Sequence, residues 1–350
     1  RVFCYFTEPA SYSLDLAKNV HGRVNIDYCF IRSTSLAEPD AKSTKESLGE
    51  KSVFAKIRFV FDVFRNSDFI IINGYTNYPF IITFLLICLS FKERYIAIES
   101  DTQLLIHDNP IKRFIKWIYL VLIFRNRHVL GFAGGNNLHK ELFRRYGMAE
   151  ERICLLPMMV NNAKFYQARK KFPEPVTFLY VGRLVKWKNV EGLILQFNKH
   201  FSDKNAILKV VGGGEEKAYL KSKYATEKVI FVGKKFGKEL VQEFQNASCF
   251  VIPSIYEPWG LVVNEALSSG LPVIATKEVG ATFDLIARKE TGFVANDMSD
   301  FGSKMLELYN DPEKLMTSSE NATKLMKDYW NYDLYERCLN EAIGKVELWR

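Results

Sequence analysis

The sequence predicts an α/β protein made of two doubly wound parallel sheets, and three observations carry the prediction. Short apolar runs rich in Val, Ile and Phe recur along the whole chain, each the length of a buried strand. Stretches of helical spacing separate them, and strand–helix alternation of this kind builds parallel sheets. At 350 residues the chain is long for one domain, and the same rhythm restarts after a polar segment from Pro157 to Pro175 that reads as a linker. The expected division is a first Rossmann-like domain over residues 1–158 and a second over 165–330. The amphipathic segment from Asp328 to Arg350 could cross back, so that residues 331–350 complete the first domain.

Taken in order, Val2 to Phe6 reads as a strand, followed by the turn-like Glu8-Pro9-Ala10-Ser11, a helix, and a strand over Val24 to Ile31. No G-x-G-x-x-G follows the first strand, which argues against an ordinary dinucleotide site. Residues 33–52 are polar and Ser/Thr-rich and read as a mobile, solvated loop, with a helix from about Val53. Strands over Asp68 to Ile72, Tyr95 to Ile98, Val129 to Phe132 and Ile153 to Leu156 complete the first sheet. The second sheet takes Val176 to Val181, Ile207 to Val211, Val229 to Val232, Cys249 to Ile252, Pro272 to Thr276 and Gly292 to Val294.

Composition excludes several classes. Nearly half the residues are hydrophobic and a quarter charged, as in ordinary globular proteins, so disorder is not expected. The net charge of +8 is spread along the chain with no nucleic-acid-binding motif. Six scattered cysteines sit mostly in apolar runs, without C-x-x-C pairs or metal spacing, and read as reduced, cytoplasmic thiols. The runs Pro79 to Phe91 and Phe114 to Phe124 are too short to span a bilayer. The sequence opens at Arg1 on a strand with no signal peptide or initiator visible, as a trimmed chain would, and secretion is not expected.

The chemistry concentrates in Pro253 to Pro272, PSIYEPWGLVVNEALSSGLP. A strand ends at Pro253-Ser254, a loop carries Glu257-Pro258-Trp259-Gly260, and a buried helix begins at Leu261 and stops at Ser269-Gly270. The N–H groups of Trp259, Gly260 and Leu261 precede the first intrahelical bond, and a helix N-terminus receives anions. Glu257 lies before that end and Glu265 about one turn inside, where carboxylates can accept hydrogen bonds from sugar hydroxyls; a sugar joined to a diphosphate fits both features. Upstream, Gly182-Arg183-Leu184 closes a strand and Lys188 follows, two cations at the edge where doubly wound sheets bind ligands. Gly212-Gly213-Gly214 reads as a shaping turn, since Glu215-Glu216 beside it would repel a phosphate. Gly233, in Phe231-Val232-Gly233-Lys234-Lys235, ends the next strand, where a loop can hold a nucleobase.

The ordered set Gly182-Arg183-Leu184 with Lys188, Phe231-x-Gly233, Pro253-Ser254 with Glu257 and Glu265, and Gly270-x-Pro272-Val273-Ile274-Ala275 resembles the retaining glycosyltransferases of family 4 over roughly residues 130 to 310. The resemblance implies the GT-B fold, two Rossmann-like domains facing each other across a cleft. It implies that Arg183 and Lys188 neutralise the diphosphate of a nucleotide-sugar donor, that Glu257 contacts the transferred sugar, that Glu265 holds the ribose hydroxyls, and that Trp259, Gly260 and Leu261 donate from the backbone. It also implies work without a metal or other cofactor. Many members carry a Gly-Gly turn after the first strand and a His after the fourth; here those places hold Thr7-Glu8-Pro9 and Glu99-Ser100-Asp101. Asp101 or Glu99 takes the place of that His near the sugar, or caps the next helix, the latter favoured slightly. His139 fits no motif. Alternatives in view are a non-catalytic sugar-nucleotide or glycan-binding protein and a GT-B phosphorylase.

Residues 110–127, PIKRFIKWIYLVLIFRNR, combine five cations with aromatics, and no acid occurs from Asn109 to Lys140. A basic, aromatic-edged helix can lie on an anionic membrane surface without crossing it. The expectation is peripheral attachment at the inner face of a membrane, with a glycan or lipid-linked glycan as acceptor, as the resemblance to polysaccharide-assembling members also implies.

Overall fold

The computed structural model describes residues 1–34, 47–90, 93–102, 109–136, 138–167 and 171–350. Most of the polar loop expected at residues 33–52 lies outside the described residues, as do residues 168–170 of the expected linker. The chain divides into two compact units, Arg1–Met159 with Tyr332–Arg350, and Val160–Asn331.

Unit 1 alternates strand and helix as β1 (Val2–Phe6), α1 (Ser11–Leu16), β2 (Asp27–Phe30), α2 (Val53–Asn66), β3 (Phe69–Asn73), α3 (Tyr78–Leu89), β4 (Tyr95–Ser100), α4 (Pro110–Phe124), β5 (Val129–Ala133), α5 (Leu138–Arg145) and β6 (Ile153–Leu155). All pairings are parallel, in the order β2-β1-β3-β4-β5-β6. Because β1 and β3 are neighbours while the chain leaves β1 toward β2, the strand order reverses between them, and this is where open α/β sheets form a crevice. The inward residues Tyr5, Ile70, Ile72, Ile96 and Ile98 share one core with side chains of α2, α3, α4 and α5. Right-handed crossovers require that grouping, since each rightward step of the chain lays its helix on the same sheet face.

The second strand is shorter than expected from Val24 to Ile31. Asn25 takes a left-handed conformation with φ of 53°, which interrupts an extended run, and pairing begins only at Asp27. Asn77 caps α3 by accepting from Phe80 N–H at 3.0 Å, and Asn109 caps α4 by accepting from Ile111 and Lys112, each helix following with Pro in its first turn.

Unit 2 runs α6 (Asn162–Phe165), β7 (Val176–Val181), α7 (Val190–Phe201), β8 (Ala206–Val211), α8 (Lys217–Tyr224), β9 (Val229–Gly233), α9 (Gly237–Gln245), β10 (Cys249–Ile252), α10 (Leu261–Ser268), β11 (Val273–Thr276), β12 (Gly292–Ala295), α11 (Met298–Asn310) and α12 (Pro312–Asp328). Its sheet is again six parallel strands, ordered β12-β11-β10-β7-β8-β9, so the reversal lies between β10 and β7. The fold class expected from the alternation is therefore the observed one. The expected linker between Pro157 and Pro175 contains the single turn α6, because Asn162 is tied into the unit: its side-chain amide donates to the carbonyls of Met326 at 2.7 Å and Trp330 at 2.8 Å, and it accepts from Ser268 at 3.0 Å. The last helix, α13 (Tyr332–Trp349), belongs to unit 1, where the Tyr95 hydroxyl donates to the Trp349 carbonyl at 3.2 Å.

Trp259, just ahead of α10, is fully buried and stacks on Trp330 with centroids 5.6 Å apart and planes 13° from parallel, while its indole N–H donates to Asn264 Oδ1 at 2.8 Å. Removing one indole opens a cavity under α10. Trp330→Ala is expected to cost about 3–5 kcal/mol of unit 2 stability, measured as a lowered midpoint in urea denaturation followed by the remaining tryptophan fluorescence.

Candidate active site

The crevice between β7 and β10 in unit 2 gathers most of the residues singled out by their spacing. After β7, Gly182 N–H bonds to the Val211 carbonyl at 3.0 Å and Leu184 N–H to the Gly213 carbonyl at 2.9 Å, so the Arg183 loop lies directly against the glycine turn after β8. That approach is why the turn is glycine: a β-carbon at Gly212 would stand 1.8 Å from the Gly182 carbonyl oxygen, and one at Gly214 2.3 Å from that of Leu184. The three glycines thus shape the loop bearing Arg183. Its guanidinium is exposed and lies 5.4 Å over the ring of Trp187. Gly233, with φ of 88°, closes β9 beside Gly212 and faces open space.

The loop after β10 is held from two sides. Ile255 N–H donates to the Trp187 carbonyl at 2.8 Å, joining it to the turn that carries Lys188. Gly280 N–H donates to the Glu257 carbonyl at 3.0 Å and Ala281 N–H to that of Trp259 at 3.0 Å, joining it to the segment after β11. Between these supports Lys188 Nζ donates to Glu257 Oε2, and both side chains are largely buried. Sequence reasoning assigned the two separately, one to phosphate and one to sugar, and missed their pairing across 69 positions. Burial, and then the Arg183 guanidinium, press the Lys188 ammonium down to about 8.

Gly260 sits at the N-cap of α10 with φ of 92°, a conformation in which a β-carbon would also crowd Glu257 Cγ at 3.1 Å. The helix then begins at Leu261; Val263 N–H already bonds back to the Gly260 carbonyl at 2.8 Å, so the N–H groups that precede the ladder are those at the very start of the helix. Glu265 is half-buried one turn further on. The arrangement can bind an anion at the helix end and the exposed Arg183, with carboxylates to either side for hydroxyl groups.

Unit 1 holds a cavity of about 330 Å³ at its own strand reversal, lined among others by Thr7 after β1, Asn73 at the end of β3 with Gly74 beyond it, and Glu99 near the end of β4 with Asp101 beyond it. Glu99 is buried and accepts from the Asn73 side-chain amide, while the Gly74 N–H donates to its carbonyl at 2.8 Å. Burial first, then the neighbouring Asp101, push the Glu99 carboxyl up to about 7. Asp101 is raised as well by burial, opposed by His139. Among the described residues the next helix is capped by Asn109 and not by either carboxyl, and both acids line the cavity. Asn73, Tyr12, Tyr335 and His139 were not singled out as site residues in the sequence. Only the fold brings α1, β3, α13 and α5 to this place.

Because the fold raises the Glu99 carboxyl from 4.5 to about 7, the folded state keeps a proton that the unfolded chain has lost in that interval. Stability therefore falls as pH rises from about 4.5 to about 7 and levels off above, by about 3 kcal/mol in all. Glu99→Gln, which still accepts from Asn73, should lack this decline. Urea denaturation of parent and variant across the window measures it, and parallel curves would mean that Glu99 is ionised in the fold.

Residues 162–325, nearly all of unit 2, match the family described as Glycosyl transferases group 1. The chain is 28% identical over 223 residues to a probable sucrose-phosphate synthase of Thermosipho melanesiensis, covering 60% of this chain and 50% of that protein. It is 28% identical over 234 residues to the capsular polysaccharide biosynthesis glycosyltransferase CapM of Staphylococcus aureus, covering 62% and 57%. The chain spans about half the length of the curated relatives it matches. Among solved structures, Anabaena HepE in complex with UDP superposes with a TM-score of 0.72 at 16% identity, over 98% of this chain and 99% of that one, a likeness of fold. The second unit thus matches the glycosyl transferases of group 1, and the two six-stranded parallel sheets have the GT-B fold.

Proposed function

We propose that this protein is a retaining glycosyltransferase that moves a sugar from a nucleoside-diphosphate donor to a hydroxyl of a glycan or lipid-linked glycan. The observation that carries the reading is the convergence of Arg183, the Lys188–Glu257 pair and the N-terminus of α10 at the strand reversal of unit 2. The C–O bond between the sugar and the diphosphate breaks, and the acceptor oxygen bonds to that carbon on the same face. The acceptor proton passes to the departing phosphate. Stabilising that leaving group supplies most of the rate, and Arg183, Lys188 and the helix end are suited to it without a resident metal. Glu257 orients the transferred sugar, Glu265 the ribose hydroxyls, and Gly233 leaves room for the base. The cavity of unit 1 takes the acceptor, with Asp101 at its wall. A polysaccharide role is consistent with the likeness to CapM, and the UDP bound by HepE makes uridine the first nucleoside to try.

Arg183→Ala should weaken nucleoside-diphosphate binding by roughly 10- to 150-fold, the loss of one charge-assisted contact. Glu257→Gln should mainly lower turnover, and Glu265→Gln mainly donor affinity. Titration calorimetry with UDP, GDP and ADP and their sugars, followed by turnover assays in the presence of a chelator, measures all three. Unchanged binding by Arg183→Ala would remove the phosphate site; donor binding without turnover on any acceptor would favour a binding protein, and turnover with free phosphate alone a phosphorylase.

A lipid-linked acceptor fits the outer surface of α4. Among the described residues no helix is long and apolar enough to cross a membrane, but α4 exposes Ile111, Ile115, Ile118 and Leu122 as one stripe beside Lys112, Arg113 and Lys116. The proposal includes peripheral contact at the inner face of a membrane, which the exposed apolar stripe and its cations support. Salt-sensitive sedimentation with anionic liposomes should drop by about a hundredfold when these three cations are changed together to Glu, at about 1 kcal/mol per charge before reversal is counted. Equal indifference of parent and variant to such vesicles would leave α4 an ordinary surface helix.

A further inference from the structure

Thirteen of the twenty-two large hydrophobic side chains exposed among the described residues lie on three helices, α2, α3 and α4. On each the exposed positions repeat with helical spacing: Phe54, Ile57 and Phe61 on α2, and Ile81, Leu85 and Leu89 on α3, in addition to the α4 stripe. Each helix also has an inner apolar stripe in the common core, from Val60, Val63 and Phe64 on α2 to Phe80 and Ile87 on α3 and Leu120, Ile123 and Phe124 on α4. α3 and α4 are therefore apolar on two opposite faces and α2 on two adjoining ones, which water alone does not favour.

The three outer stripes belong to one layer. Rightward crossovers place α2, α3 and α4 side by side on the same sheet face, with α3 in the middle. Asn126, just beyond α4, reaches Cys88 of α3 at 3.7 Å. α3 carries no charged residue at all, and its neighbours carry six cations, Lys56, Arg58, Arg65, Lys112, Arg113 and Lys116, against the single acid Asp62.

We propose that α2, α3 and α4 together form the face with which unit 1 rests on an anionic lipid bilayer, α3 as the apolar centre that enters the acyl boundary and the flanking helices as the basic rim. Charge complementarity selects this occupant. A second copy would bring the same positive rim against its own, whereas anionic headgroups neutralise it and the acyl chains cover α3. The inference extends the contact proposed for α4, and rests on that reading for the sign of the lipid charge.

Cys88 lies on the exposed side of α3 and the other cysteines are buried or half-buried, so it accepts a polarity-sensitive nitrobenzoxadiazole label selectively. The labelled full chain is mixed with vesicles of phosphatidylcholine alone and of phosphatidylcholine with phosphatidylglycerol. The expected result is a blue shift and protection from aqueous dithionite with the anionic vesicles only. In flotation, Leu85→Gln with Leu89→Gln should lower vesicle partition by about tenfold or more, with the circular dichroism spectrum unchanged. Vesicle binding that needs the α4 cations but leaves the Cys88 label in water, with the α3 variant bound like the parent, would overturn the three-helix face and leave the α4 contact standing. Absence of vesicle binding would overturn both, as would a stable dimer in sedimentation velocity that shields the Cys88 label.

Discussion

The reversal of strand order between β10 and β7 is the constraint on which the candidate donor site depends. Strands on the two sides of that point send their following loops apart, and the crevice left at their carboxyl ends is the one place in the sheet where a ligand can reach backbone groups of both halves. Arg183 and Lys188 come from one side, Glu257 and the start of α10 from the other, and the loops are tied to each other through Ile255 and the Trp187 carbonyl. The same reversal between β1 and β3 in unit 1 produces the cavity bearing Asn73, Glu99 and Asp101. One topological rule thus accounts for both sites.

Electrostatics differentiates them. In unit 2 a largely buried ammonium donates to the Glu257 carboxylate while burial and Arg183 work against its charge. An arriving anion would relieve the repulsion from Arg183 and share Lys188 with Glu257, which couples the phosphate and sugar halves of a donor through one side chain. In unit 1 two carboxyls raised by burial lie near each other, with the Asn73 amide donating to Glu99, an environment that suits hydroxyl groups better than phosphates.

The candidate donor site is supported from within the core of unit 2. Trp259 on Trp330, Asn264 on the indole, and Asn162 on the end of α12 fix α10 from beneath. The α2–α4 layer keeps a well-packed interior around Phe80, Leu120 and Phe124 and turns a second apolar surface outward, at a cost in solvation that only a covering partner removes.

Much of this was legible in the residues alone. Parallel strands buried on both faces read as continuous apolar runs, which is why β1, β7 and β10 begin and end where the runs do. Gly260 and Gly270 bracket α10 because a left-handed backbone is needed at both ends. Local signals failed where the deciding interaction is distant or one-sided. Asn25 gives no composition cue that it will turn left-handed and shorten β2. Lys188 and Glu257, Asn73 and Glu99, and Asp101 and His139 meet only because separate strands end side by side. The outward side of α3 could not be read at all, since a helix apolar all round carries no periodic signal to say which side faces water; only its packing against the sheet decided that.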